Sequence, residues 1–596
     1  MHFFQHLLAL TGIAIFPLPG YLLTRGWLRH EGSPLSEDSR IARIALGYAL
    51  GIAILYATSQ VGFPFFLGVY GALFAAIAFF RWRTPHQNAR GRLSPELRIL
   101  VAILLGYLAF RLIPAISREL PTGWDPYFSL LFTDRITETA RAIHDWRPYE
   151  NIELNYPIGP HLLLGLIAWL AKLEPHIPFK MAIPWFISLT GLQVYGLVSR
   201  AARDRTLALY AAVAYLLTAD WGSFGYALWG GLPNLMGMYV FLGAVAVLVQ
   251  VTAIGVGRAE PAAHPREVLA LGLLLLAVCL IHHHCMVAAG GVMAWILLRA
   301  WLASAERTDT FNGDARRLTL DLVLKAGTLA VALGAPYFRD FLLKIPRISQ
   351  SGLNVLHEGA MSPRELDESL GPWFFFATVM GWLWFRRKRA EFRVAPALLW
   401  ATSGMMLLFF VGDYGIRIVT ILLYYKQVAP FTPTRFLTDA VMLLAFYAGV
   451  FWLQLGQQLQ LSRRATLLLI AVGLAWLLPT YKDTFREPVP DPTLAAYAWI
   501  RTNARPDAWV WDGSDFHTSY LTRRASGNVP FPTSEFRFAA GIHEAIAEVR
   551  AGRVPELARG KQFIQVLRDG EPVPAGMREI WSETSGKVRL AEKIIP

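Results

Sequence analysis

The sequence predicts an all-α polytopic membrane protein of about 13–14 transmembrane helices, with a small α/β domain at its C-terminal end on the extracytoplasmic side. Three observations carry that prediction. The chain of 596 residues is 54% hydrophobic and only 17% charged, whereas soluble proteins carry nearer a quarter. Apolar runs long enough to cross a bilayer, about 20 residues each, recur as far as residue 480. Beyond that point the character changes: residues 481–596 hold 16 basic and 15 acidic side chains, which leaves +12 of the +13 net charge in residues 1–480. A basic surplus confined to the loops between membrane segments follows the positive-inside rule and argues against nucleic acid as a partner. Two domains result, 1–480 in the membrane and 481–596 outside it.

The apolar segments fall at 3–24, 41–58, 62–80, 97–115, 160–199, 204–219, 234–253, 268–284, 286–303, 318–335, 371–386, 394–412, 434–455 and 465–480. The first has no basic leader and no small-residue cleavage site, so it reads as a retained helix. Cytoplasmic loops are marked by Arg25, Arg29, Arg40 and Arg43, by Arg81 to Arg98, by Arg200, Arg203 and Arg205, by Arg307, Arg316 and Arg317, by "RRKRAEFR" at 386–393, and by Arg463 and Arg464. Alternation from these puts both termini outside. The stretch 160–199 has the length of two helices but a single net crossing; Lys172, Glu174, Pro175 and Pro178 interrupt it, so one half is expected to be short, interfacial or re-entrant. The loops 116–157, 220–233, 337–370 and 413–433 then face outward with the tail. Only Cys279 and Cys285 occur, both in one apolar stretch, and they form no disulfide framework.

In the tail, "DPTLAAYAWIRTNA" has a capping Asp and helical spacing, and "AWVWDG" reads as a short buried strand. "FRFAAGIHEAIAEVRAG" reads as an amphipathic helix. "KQFIQVLRDG" and "REIWSETSGKVRLAEKI" read as strands, the latter a hairpin around Ser585 and Gly586.

Chemistry-bearing residues gather in the outward stretches. Loop 116–157 holds seven acids and four arginines among many aromatics. From Pro126 to His144 the pattern is helical and amphipathic, with Phe128, Leu131 and Phe132 on one face, which suits a helix lying along the interface. Asp125 stands just before it in "WDP". Such an Asp is either a helix N-cap or, near apolar surface, a general base. Asp134, nine residues on, is a second carboxylate or simply a solvated helix charge. In "DYGIRIVTILLYYKQVAPFTPTRFLTD" at 413–439, Arg417, Lys426 and Arg435 flank tyrosines. Arg435 begins an apolar helix, where a charge is expensive; it either binds phosphate with its planar fork or snorkels to the interface. Arg339 and Lys344 are weaker versions of the same pattern.

"IHHHC" at 281–285 invites a metal. On one continuous helix, though, neighbours differ by about 100°, so His282 and His284 would point to nearly opposite sides, and zinc needs converging ligands. His282 or His283 is instead assigned to substrate. "DWGSFGYALWGGLPNLMG" at 220–237 offers Trp221, Tyr226 and Trp229 for stacking on sugars, although Gly-rich aromatic turns more often pack loops against helices. No P-loop, Rossmann fingerprint or nucleophile elbow occurs.

The order of these features resembles the GT-C superfamily of membrane glycosyltransferases. "WDPYF" with the following "DRI" is similar to the acidic motif of the oligosaccharyltransferase branch. "YPIGPH" is similar to the tyrosine-proline motif of the mannosyl- and aminoarabinose-transferring branches. "WVWDGSDFHTSYLTRRASG" resembles GT-C tail segments but departs from the W-W-D-Y-G motif of oligosaccharyltransferases, and four helices precede the acidic loop where most relatives have one. The resemblance covers roughly 97–596. It implies a polyprenyl-phosphate-linked sugar donor in the membrane, a glycan, lipid or protein acceptor outside, and an inverting transfer. In that scheme Asp125 is the base and Arg435 holds the leaving phosphate. Asp134, Tyr156, His161, His282, His283, Arg417 and Lys426 serve substrate. A divalent cation, magnesium or manganese, on Asp125 and Asp134 is compatible with some branches; no residue is assigned as a metal ligand. The alternatives are a flippase or transporter for a lipid-linked glycan, which needs polar groups through the membrane depth, and an O-antigen-ligase-like polymerising enzyme built on the histidine run.

Overall fold

The computed structural model describes residues 2–24, 27, 37–83, 93–118, 120–122, 125–144, 157–219, 222–254, 262–302, 313–339, 370–411, 433–483, 485, 491–505, 508–512, 548, 551, 553, 560 and 562–594. Its helices are α1 (His2–Ile15), α2 (Leu18–Leu23), α3 (Glu37–Thr58), α4 (Phe63–Arg83), α5 (Pro95–Ser117), α6 (Asp125–Thr139), α7 (Gly159–Ala171), α8 (His176–Ala202), α9 (Arg205–Leu216), α10 (Gly225–Trp229), α11 (Leu232–Ile254), α12 (Pro265–Ile281), α13 (His283–Leu302), α14 (Gly313–Leu333), α15 (Pro372–Arg387), α16 (Pro396–Phe410), α17 (Pro433–Gln458), α18 (Arg463–Asp483) and α19 (Asp491–Asn503). Every apolar segment read from the sequence is helical. Among the described residues, eight helices are long and apolar enough to cross a membrane, and α7, α9 and α16 are shorter apolar helices.

The bundle has an inside and a lipid-facing outside. Residues 232–252 of α11 are buried throughout, and α8 and α17 are nearly so. By contrast α4 and α5 expose Phe65, Phe74, Phe80, Leu105 and Ile113. Apolar side chains turned outward on long helices are what a hydrocarbon solvent asks for.

The basic loops meet at one end. Ser94, before α5, donates to Glu37 at the start of α3 at 2.8 Å and lies 3.2 Å from the Tyr195 hydroxyl near the end of α8. Arg463 pairs with Glu96 at 2.7 Å, and the Ala395 amide bonds the Ala201 carbonyl at 2.8 Å. The described parts of loops 116–157 and 337–370, predicted to face outward, contact neighbouring turns at the other end. The Ala142 amide bonds the Ser59 carbonyl at 2.9 Å, and the Ala219 amide bonds the Leu370 carbonyl at 3.2 Å. The Tyr481 hydroxyl bonds the Phe110 carbonyl at 2.8 Å.

The stretch 160–199 divides as expected. Lys172 takes a left-handed conformation and ends α7 after 13 residues. The first turn of α7 lies against Leu280, and Trp169 near its other end packs on Phe63, centroids 5.8 Å apart. Both contacts belong to the second end, so α7 stays there while α8 makes the crossing.

In the tail a four-stranded sheet has the order β1-β2-β4-β3, with β1 (Trp509–Asp512) parallel to β2 (Gln562–Arg568), and β4 (Val588–Ile594) antiparallel to both β2 and β3 (Arg578–Ser582). The β3–β4 hairpin turns at Gly586, φ +70°. Arg568 grips the buried Asp512 carboxylate with bonds of 2.7 and 2.8 Å, and Tyr497 of α19 donates to it at 2.9 Å. The helix read from 536–552 lies outside the described residues apart from isolated positions.

Candidate active site

The acidic turn sits at the end where the loops predicted to face outward are found. Asp125 is the first residue of α6, followed by a buried Pro126. Against Pro126 lies Gly230, which follows α10 with φ +77°. A Cβ there would sit 2.1 Å from Pro126 Cγ and 3.2 Å from the Thr122 carbonyl, so only glycine allows the approach. The Gly-rich stretch therefore packs directly under the acidic turn. This favours its packing role, and Tyr226 is fully buried with no face left for a sugar. The side chains of Trp221 and Trp229 lie outside the described residues.

Helix α6 departs from expectation in two ways. Residues 129–133 are all buried, so the helix is wedged into the bundle where an interfacial helix would keep one open face. It also stops at Thr139, short of His144. Ala140 turns to φ +50°, and its carbonyl accepts from the Phe63 amide at 2.7 Å. Bonds to the turn between α3 and α4 replace the next turn of helix. Asp134 is half-buried on α6, and its neighbour Arg135 pairs with Glu138 at 2.9 Å.

His161, in the first turn of α7, is fully buried beneath α6. Its Nδ1 is 3.4 Å from the Thr133 hydroxyl, and its ring packs on Phe132. Two residues earlier, a Cβ on Gly159 would lie 2.7 Å from the Leu280 carbonyl. The "YPIGPH" motif thus abuts the histidine run, although Tyr156 itself lies outside the described residues.

The expectation that His282, His283 and His284 share one helix is corrected. His282 is extended, φ −159° and ψ 127°, and ends α12; His283 starts α13. The break brings rings together that a straight helix would separate: His282 stacks on His283 at 5.2 Å and lies 6.2 Å from His284. Among the described residues no group of three His, Cys, Asp or Glu is placed to hold a metal ion.

His284 belongs to a network that sequence reading did not anticipate. Its Nε2 lies 3.1 Å from Asp439 Oδ2, both groups buried. Asn234 Nδ2 donates to Asp439 Oδ1 and to the Tyr226 hydroxyl, each at 3.2 Å. The Cys285 thiol donates to Asn234 Oδ1 at 3.0 Å. Four helices, α10, α11, α13 and α17, meet in these bonds. The only available signal was Asp439 inside an apolar helix, one turn after Arg435.

On the other side of the Gly-rich stretch is a small cleft, partly open to solvent, lined by Arg111, Arg118, Lys180, Thr122, Ile183 and prolines. The lining carries three buried cations and no carboxylate. Arg111 Nη2 donates to the Ser223 and Phe224 carbonyls at 3.3 and 3.1 Å, while its Nη1 has no partner among the described residues. Lys180 donates to the Arg118 carbonyl at 2.5 Å. Arg111 in "LAFRLIPA" and Lys180 in "PFKMAIPW" are ionisable groups inside apolar helices, a signal present in the sequence. Of the other expected cations, Arg417, Lys426 and Lys344 lie outside the described residues, Arg339 is exposed, and Arg435 is placed by backbone alone in the first turn of α17.

No family model matches the chain, and no curated protein matches its sequence. Solved structures do resemble it. The oligosaccharyltransferase AglB of Archaeoglobus fulgidus, in complex with an inhibitory peptide and a dolichol-phosphate, is 13% identical, with a TM-score of 0.51 over 82% of this chain and 74% of that one. ArnT from Cupriavidus metallidurans, bound to undecaprenyl phosphate, is 14% identical, with a TM-score of 0.56 over 83% of this chain and 97% of that one. The chain has a GT-C-like fold.

Proposed function

We propose that the chain is a membrane glycosyltransferase that moves a sugar, with inversion, from a polyprenyl-phosphate donor to a glycan, lipid or protein acceptor on the extracytoplasmic face. The observation that carries this is the meeting of the Asp125 turn, the Gly-rich stretch, the start of α7, the histidine run and the start of α17 at one end of a GT-C-like bundle. Structures of that fold hold dolichol-phosphate and undecaprenyl phosphate, which supports a lipid-linked donor.

The chemistry needs two things. A base must take the proton of the acceptor hydroxyl as its oxygen attacks the anomeric carbon. Positive charge must receive the electron pair that goes to the lipid phosphate as the sugar–phosphate bond breaks. Asp125 is the base. The cleft of Arg111, Arg118 and Lys180 lies beside its turn through Thr122 and offers the positive charge, together with Arg435, Arg417 and Lys426. His161 supports the acidic helix from below; Asp134, Tyr156, His282 and His283 complete the substrate side.

The test is transfer of label from a panel of polyprenyl-phosphate sugars by purified protein in lipid nanodiscs, with Asp125→Asn as control. Loss of a general base costs about 10²–10⁴-fold. Wild-type rates in the variant remove Asp125 from the mechanism. Movement of lipid-linked glycan across the bilayer with no transfer from any donor would replace the enzyme by a flippase.

A further inference from the structure

We propose that the buried Asp439–His284 pair, linked through Asn234 to Tyr226, is the positioning device of this site: it sets the first turn of α17 and the 222–234 stretch against the turn that carries Asp125. The proposal rests on the glycosyl-transfer reading for its activity arm and on geometry for the rest.

Both groups are nearly inaccessible, Asp439 at 0% and His284 at 3%. A buried pair of this kind is weak evidence for stability, because apolar residues of similar volume serve as well. Its geometry is better suited to placement. Each Asp439 oxygen has a different partner, His284 of α13 on one and Asn234 of α11 on the other. Both N–H donors of the Asn234 amide are used, and its oxygen accepts from Cys285. The helices also touch closely here, since a Cβ on Gly237 of α11 would lie 2.6 Å from Cys285 Sγ. A half-satisfied arrangement would strand polar groups in a dry interior, so few other registers of α17 against α11 and α13 are open.

What the network holds is catalytic ground. Phe436, packed on the His284 ring at 4.5 Å, is adjacent to Arg435. Tyr226 lies on α10, and Gly230 at the end of that helix abuts Pro126. From Asp439 the line runs through Asn234, Tyr226 and Gly230 to the residue after Asp125. Asp439 and His284 are thus positioning residues that touch neither sugar nor phosphate.

The test compares Asp439→Asn, Asp439→Leu and Asn234→Ser in the full-length protein in nanodiscs. Asn keeps the shape and the acceptor for Asn234, and its NH2 meets His284 Nε2 as a donor to the ring's other neutral tautomer; Leu keeps neither bond. A misplacement of about 1 Å costs on the order of 100-fold, so Asp439→Leu is expected to lose about that factor in kcat per folded molecule, with donor KM within a few-fold. Asp439→Asn recovers most of it. Asn234→Ser, which cuts the line while leaving the Asp439–His284 pair, loses about 10-fold and covers failure of the Leu variant to fold. Hydrogen exchange at residues 125–130 and 222–232 rises in Asp439→Leu and Asn234→Ser. Unchanged kcat per folded molecule in Asn234→Ser, or Asn no better than Leu, overturns the proposal. If the wild type transfers no sugar at all, the functional reading fails by itself, and unchanged exchange at those two segments still refutes the positioning role.

Discussion

Replacing Gly230 by alanine tests the approach between the Gly-rich stretch and the acidic turn. The backbone there has φ +77°, a left-handed conformation that costs a residue with a side chain about 1–2 kcal/mol. Strain is the smaller part. The new methyl would lie 2.1 Å from Pro126 Cγ, where ordinary contact begins at 3.4 Å, so one side must retreat by the difference, 1.3 Å. Both sides are backbone-anchored: Pro126 by its ring in the first turn of α6, Gly230 by the bond from its amide to the Tyr226 carbonyl at 3.1 Å. The Asp125 turn therefore moves by about an ångström, and a shift of that size costs roughly 100-fold in rate. Gly560→Ala is the matching control. It has φ +79° and nothing within 4 Å of the added methyl, so it carries the same backbone strain without the collision. Transfer rates in nanodiscs should fall about 100-fold in Gly230→Ala and stay at wild type in Gly560→Ala. Thermal melts should show a modest loss in both. A Gly230→Ala enzyme with wild-type kcat would refute the assignment of Asp125 to the site under that loop.

Other outcomes follow from particular contacts. Arg111→Met keeps the stem and removes the charge; hydrogen bonds to a charged group are worth about 1.5–3 kcal/mol, so affinity for undecaprenyl phosphate in nanodiscs should drop at least about 10-fold, and an unchanged affinity would take Arg111 out of phosphate binding. Burial alone would raise the Glu592 carboxyl, but hydrogen bonds from Gln562 and Arg578 outweigh it and hold the group below its ordinary 4.5. A depressed carboxyl adds stability above its unfolded value and loses it as pH falls through the folded one. Unfolding of the tail, followed by tryptophan fluorescence, should therefore be pH-sensitive below about 4.5, and less so in Glu592→Gln. Chelation decides the divalent-cation expectation: full transfer in EDTA would mean the two carboxylates work without a metal.

The apolar pattern and the arginine loops were enough to place the apolar helices and to sort the described loops to two ends, because burial in lipid constrains both strongly. The tail strands were equally readable from their turn residues. What could not be read lies in long-range contacts. The five residues of the polar network stand at 226, 234, 284, 285 and 439, and nothing local in the sequence links these three stretches. The histidine run misled because helical geometry was assumed through it, while His282 is extended. The end of α6 depended on a turn some 80 residues earlier that supplies its backbone partners.

That same turn has a consequence for biogenesis. Residues 59–63 leave the ribosome well before Ala140 and Ala142, whose backbone groups they receive. The leading hairpin of α3 and α4 thus stands ready in the bilayer as a template on which the later acidic segment docks as it is made. In a chain shortened to begin after α4, the nascent α6 would find no edge to close on, and its last turn would fray.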